Sequence, residues 1–138
     1  MSLDFLYPLV TEAIRRAESL EDLGAPGALA AHLDVSLLEE KIAEILPASD
    51  PEGALARRGA VRAAVAARQL ARAQQLAERY LAEVGTDASS RAEILRLVEQ
   101  AERSSAARYP HVAASFGLTE VRRLARALIE QGAPFPIG

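Results

Sequence analysis

DPEGALARRGAVRAAVAARQLARAQQLAERYLAEVG, residues 50–85, is the stretch whose reading decides the fold. Asp50 followed by Pro51 is a helix start signal: a carboxylate able to cap a free backbone N–H, then a residue whose missing N–H costs nothing in a first turn. No further proline interrupts residues 52–84, and Gly85 offers the left-handed C-cap that a residue without Cβ adopts easily. The pattern predicts one long central helix over residues 51–84. At ~1.5 Å per residue such a helix reaches about 50 Å, longer than a compact domain of this size is wide, so it needs partners along its length. Leu55, Ala66, Leu70, Ala73, Ala77, Tyr80, Leu81 and Val84 fall on one face. Ala56, Ala60, Ala63, Ala67 and Ala71 widen it into a smooth flank that another helix or a second subunit can approach closely. Gly59 marks the alternative. Glycine costs about 1 kcal/mol relative to alanine inside a helix, and a break near Arg58-Gly59 turns the rod into two shorter helices.

Around this spine the same punctuation divides the 138 residues into about six helical segments, and no run shows the alternation of a strand. The expected class is all-α, a helical bundle in a single domain over residues 1–138. A first helix runs from about Pro8 to the Gly24-Ala25-Pro26-Gly27 break, and a short one follows from Ala28 to Leu33. Ser36 with Glu39 has the spacing of a capping box, opening a helix that Pro47 stops; Ser90 with Glu93 opens another that ends before Pro110. A short helix from Pro110 to Phe116 ends at Gly117, Thr119 caps a last one, and the tail is Pro134-Phe135-Pro136-Ile137-Gly138. LAAHLDVSLL (29–38) and VAASFGLTEV (112–121) share an apolar pattern at an offset of 83, so residues 8–46 and 91–131 read as two copies of a long-short-long unit joined by the spine. Chance likeness between Ala-rich amphipathic helices is the competing explanation.

With 50% apolar residues but only 4% aromatics and no Trp, the core must be filled by many Ala and Leu side chains in closely approaching helices. The absence of cysteine excludes disulfides and thiolate chemistry. The first residues, MSLDFLYP, carry no basic leader, and no apolar run approaches the ~20 residues of a membrane span, so a cytoplasmic protein is expected. A net charge of −3 hides an uneven distribution. Residues 1–50 hold ten acids against three bases, a balance of −7, whereas residues 51–80 hold six arginines against two acids, a balance of +4. The two regions are expected to face each other, within one chain or across a dimer, unless both are simply solvated.

Two kinds of function compete with a packed helix face. VAASFGLTEVRRL, residues 112–124, has the ingredients of a helix-turn-helix, with Ala113 and Gly117 spaced for close helix approach and Arg122, Arg123 and Arg126 as candidate phosphate contacts. The apolar residue that should fix the second helix falls on Arg123 instead. The earlier copy has Asp34 for the glycine and Glu40 at that position. A divergent helix-turn-helix over residues 110–131 therefore remains the alternative reading. For catalysis, His32 and His111 lack the acidic neighbours of a helical di-metal site, and no glycine-rich phosphate loop or nucleophile elbow occurs. Glu18 with Glu21, and Glu99 with Glu102, place two carboxylates on one helix face but without a second acidic pair, and Lys41 sits among glutamates.

The sequence thus implies no cofactor, no metal and no catalytic residue. It implies a helical protein–protein interaction or regulatory module, with homodimerisation through Ala63, Ala67 and Ala71 and through Phe135 and Ile137 of the tail. An unrecognised ligand-binding or enzyme domain is the third reading. Since nucleic acid is not the expected partner, the unmodified protein should leave duplex DNA unretarded at physiological salt. A salt-sensitive retardation lost on replacing Arg122, Arg123 and Arg126 by Ala would establish the opposite.

Overall fold

The computed structural model describes residues 2–108, in which every regular element is a helix. Five occur among the described residues: α1 (Leu3–Asp22), α2 (Ala28–Ile45), α3 (Pro51–Ala66), α4 (Leu70–Leu81) and α5 (Ala88–Arg108). The architecture is a helical bundle with α3 at its centre. Helix α3 packs against α2, α4 and α5, while α1 packs against α2 and α4 against α5. Leu6 and Val10 of α1, Ile42 of α2, Val61 of α3, Leu76 and Tyr80 of α4 and Ile94 of α5 join one apolar core.

Several starts and stops lie where local chemistry puts them. The Asp50 carboxylate accepts the Glu52 N–H at 2.8 Å with Pro51 in the first turn. Helix α2 stops at Ile45, two residues before Pro47. The α1–α2 turn uses Gly24 and Gly27 at φ 61° and 92°. Helix α1, however, begins at Leu3 with Pro8 inside it, because Leu6 is fully buried and draws the first turn into the core.

The long central helix is not formed. Residues 51–84 make two helices, and the break lies at Ala67–Gln69 rather than at Gly59. There the N–H of Gln69 donates to the Ala64 carbonyl and that of Arg68 to the Val65 carbonyl, the paired closure of a Schellman turn. Arg68 takes the left-handed position, at φ 58°, which glycine normally fills. Burial of Ala73, Leu76, Ala77 and Tyr80 in the core offsets this local cost. The same break changes the helical phase, leaving Leu55 54% exposed, and α4 ends at Leu81 rather than at Val84, which lies past the helix and is 97% exposed.

Helix α2, by contrast, is continuous where a short helix and a new cap at Ser36 were expected. The Ser36 hydroxyl is fully buried and donates across to the Ala60 carbonyl of α3 at 2.7 Å, so it has no need to cap its own backbone. The cap of α5 is Asp87, three residues before Ser90: its carboxylate accepts both the N–H and the hydroxyl of Ser90. Residues 8–46 consequently hold two helices rather than a long-short-long unit. The second half of the proposed repeat extends beyond the described residues, as do the helices expected at residues 110–131.

Ala73 is fully buried in the seam between α3 and α4. Ala73→Glu is expected to destabilise the fold by at least about 3 kcal/mol, because it forces charge and volume into a closely packed seam. A thermal melt checks this, and an unchanged midpoint would mean that the seam does not form.

Candidate functional site

Most of the polar chemistry of the described residues is gathered in the seams around α3. Arg57 shares a phase with Gly53, Ala60 and Ala64, all buried, and is itself only 4% exposed. A charged residue within a stripe of glycine and alanine was the one sequence signal for this site, and the count of a uniform basic stretch concealed it.

The guanidinium of Arg57 uses all five of its N–H groups. Nε and Nη2 grip Glu83 at 2.7 and 3.0 Å as a two-point pair, while Nη1 donates to the carbonyls of Leu46 and Gly53 and Nη2 to that of Ala43. Two of those carbonyls belong to the C-terminal end of α2, where intrahelical donors run out, so Arg57 closes α2 and ties it to α3 and to the turn that follows α4. Gly53 makes room for this. A Cβ there would stand 2.1 Å from the Pro47 carbonyl oxygen.

A second cluster joins α2 to α4. Glu40 receives Arg72 Nη2 at 2.7 Å and Arg79 Nη2 at 2.5 Å, and Arg72 Nε donates to the Ser36 hydroxyl at 3.0 Å. Burial raises the Glu40 carboxyl, but the hydrogen bonds from Arg79 and Arg72 outweigh it and hold the group below its ordinary value. The acidic and basic regions thus meet within one chain. Tyr80 lies between two guanidinium groups, with Arg57 and Arg79 5.5 and 5.3 Å from its ring centroid. Burial pushes its phenol up to about 12 against the lowering effect of Arg79, so it stays protonated at neutral pH. A third cluster joins α3 to α5: Arg58 Nε and Arg62 both pair with Glu93, and Arg58 also donates to the buried Ser90 hydroxyl. Glu93 therefore serves α3 and not a capping box.

Glu39 stands apart from these. It faces Gly59 on α3, where a Cβ would come 3.0 Å from its Cδ; Gly59 is a space for a carboxyl rather than a weak point in the helix. Burial pushes this carboxyl up to about 7, with Arg62 only partly opposing.

A cleft of 440 Å³ opens beside Tyr80, bordered by Glu44, Ile45, Pro47, Arg79 and Glu83. Apart from the exposed Glu44, its charged groups are spent on one another: Arg57 has no free N–H, and Glu40 is held by two arginines. The arrangement suits clamping helices together more than proton transfer or anion capture.

Of the residues singled out in the sequence, Ala63 and Ala67 are buried within the chain, covered by its own helices, and Ala71 is exposed. Ala63 packs with Ala17, Ala31 and Val35 of the α1–α2 hairpin, so the smooth flank is filled without a second subunit. Glu21 stands 3.5 Å from His32 Nε2, Glu18 and Lys41 are exposed, and Glu102 is buried. Arg122, Arg123, Arg126, His111, Phe135 and Ile137 lie outside the described residues. Among the described residues no three His, Asp or Glu side chains gather as metal ligands, and no helix is long and apolar enough to cross a membrane. No family model matches the chain, and neither a curated protein nor a solved structure matches it.

Glu39 generates a pH dependence. Its folded value of about 7 lies above the ordinary 4.5, so its contribution to stability is present below 4.5 and is lost as pH rises through 7. Between pH 5 and 8 the melting temperature should fall by the equivalent of about 1–2 kcal/mol, a figure discounted for partial solvent screening. Glu39→Gln should flatten that slope and stabilise the protein at pH 8. A slope unchanged in the variant would assign the effect to another group.

Proposed function

We propose that this chain is a helical interaction module without catalytic activity, associating through the outer face of the α1–α2 hairpin, in the first place with a second copy of itself. The observation that carries this reading is the distribution of large exposed apolar side chains. Phe5 and Leu9 on α1 and Leu37 and Ile45 on α2 are each at least 40% exposed. Phe5 and Leu9 are one turn apart and share a helix face, and the antiparallel hairpin brings their end of α1 beside the Ile45 end of α2. Apolar side chains grouped on adjacent helices are characteristic of a surface that another protein covers.

This face replaces the alanine flank as the proposed interface. Its charges suit an isologous dimer: α1 and α2 are acidic overall but carry Arg15, Arg16 and Lys41, which a two-fold axis can set against the partner's acids. The mutual pairing of Arg57, Glu40 and their neighbours supports a structural rather than a catalytic use of the buried polar groups. A cytoplasmic location is part of this reading, compatible with a sequence free of cysteine.

Light scattering over a range of micromolar concentrations is expected to give a dimer mass. Leu37→Glu, at an exposed position, should shift it to the monomer while leaving the melting temperature within about 0.5 kcal/mol of stability. A monomer mass that persists on concentration, or a dimer indifferent to Leu37→Glu, would overturn self-association through this face.

A further inference from the structure

A second and larger concavity lies at the opposite end of the α1–α2 hairpin from Phe5 and Ile45. It encloses 690 Å³ where the α1–α2 turn, the end of α3, the α3–α4 turn and the second half of α5 converge. Ligand sites commonly span roughly 300–1,000 Å³, and this one has the mixed lining they show. Leu29, Val65 and Leu97 supply apolar wall, and Ser104 and Ser105 add hydroxyls.

The charges here are unlike those of the seams around α3. Three arginines, Arg62, Arg68 and Arg108, line the groove against one carboxylate, Glu21. Arg62 is committed to Glu93, but Arg68 and Arg108 have no ion pair among the described residues and are exposed. In the seams around α3, by contrast, Arg57, Arg58, Arg72 and Arg79 each have a carboxylate partner. Arg68 is also the only non-glycine among the described residues with a left-handed backbone. Glycine would relieve that conformation, so the arginine side chain is carried at a local cost, and such costs gather at sites of function. His32, in the same wall, keeps Nε2 shielded from water without a hydrogen bond; the Glu21 carboxylate at 3.5 Å is within electrostatic range only.

We propose that this groove binds a small amphiphilic anion, a carboxylate on an apolar body, with the head group held by Arg68 and Arg108 and the body laid against Leu29, Val65 and Leu97. Two guanidinium groups offer planar two-point donation to a carboxylate, and the apolar wall rewards a ligand that a simple inorganic anion cannot imitate. The site does not depend on the dimer face, which lies at the other end of the hairpin.

The test uses the full chain and three probes, sodium octanoate, octanol and inorganic phosphate, followed by titration calorimetry and by the ring proton resonances of His32, with His111→Gln identifying them. Octanoate is expected to bind saturably and to shift the His32 resonances, with octanol and phosphate each at least about tenfold weaker. The double variant Arg68→Gln, Arg108→Gln should lose at least about tenfold in octanoate affinity while its melting temperature shows that it folds. No saturable octanoate binding would overturn the proposal. So would equal affinity for octanol, which would make the groove merely greasy, equal affinity for phosphate, which would make it a general anion site, or a double variant that binds as well as the parent.

Discussion

Helix α3 is enclosed by its neighbours along most of its surface, with Glu52, Leu55 and Arg62 left exposed, and its buried positions have little room for bulk. Gly53, Ala54, Ala56, Gly59, Ala60, Ala63 and Ala64 are all buried, with Val61 the largest apolar side chain fully inside. Small side chains let the surrounding helices approach its backbone, and that approach makes everything else in the structure necessary. At such distances, backbone carbonyls and carboxylates of neighbouring helices lie within reach of α3. Ser36 finds the Ala60 carbonyl, the Pro47 carbonyl crowds Gly53, and Glu39 takes the place of a side chain at Gly59.

Polar groups brought into so tight a space have to be satisfied there. Arg57 does so for the end of α2, and the Glu40 and Glu93 clusters hold α4 and α5 in register through Arg72, Arg79, Arg58 and Arg62. Removing one partner from such a pair leaves an uncompensated charge, so the clusters penalise alternative helix registers more than they add stability outright. Alanine surfaces are nearly featureless and would otherwise let helices slide; the arginines supply the positional information that the core lacks.

This division explains what could be read from the sequence. The all-helical class, the Asp50-Pro51 start, the stop before Pro47 and the break at residues 24–27 follow from chemistry local to the chain. The errors share one cause. Ser36 and Ser90 have the spacing of caps, but the Ser36 hydroxyl is claimed by a carbonyl 24 positions away, and Ser90, held by Asp87, also accepts from Arg58, 32 positions away. The turn at Arg68 carries neither glycine nor proline, so nothing nearby announces it, and burial of α4 decides it instead. The six arginines of residues 51–80 looked like one basic stretch, whereas the helices turn them toward different partners. Only Arg57, out of place in a stripe of small residues, was recognisable as something other than a surface charge.

A core made this way also has an unusual relation to substitution. Alanine brings no rotamer freedom to lose on folding, so ordering α3 costs less side-chain entropy than ordering a helix of leucines. Alanine to glycine removes a single methyl and opens no large cavity, so its cost is mainly the ~1 kcal/mol by which glycine falls short of alanine inside a helix. Growth is another matter, since each added carbon at Ala56, Ala60 or Ala64 must push a neighbouring helix aside. Positions 56, 60 and 64 are thus bounded from both sides, by helix propensity against glycine and by packing against anything larger than alanine.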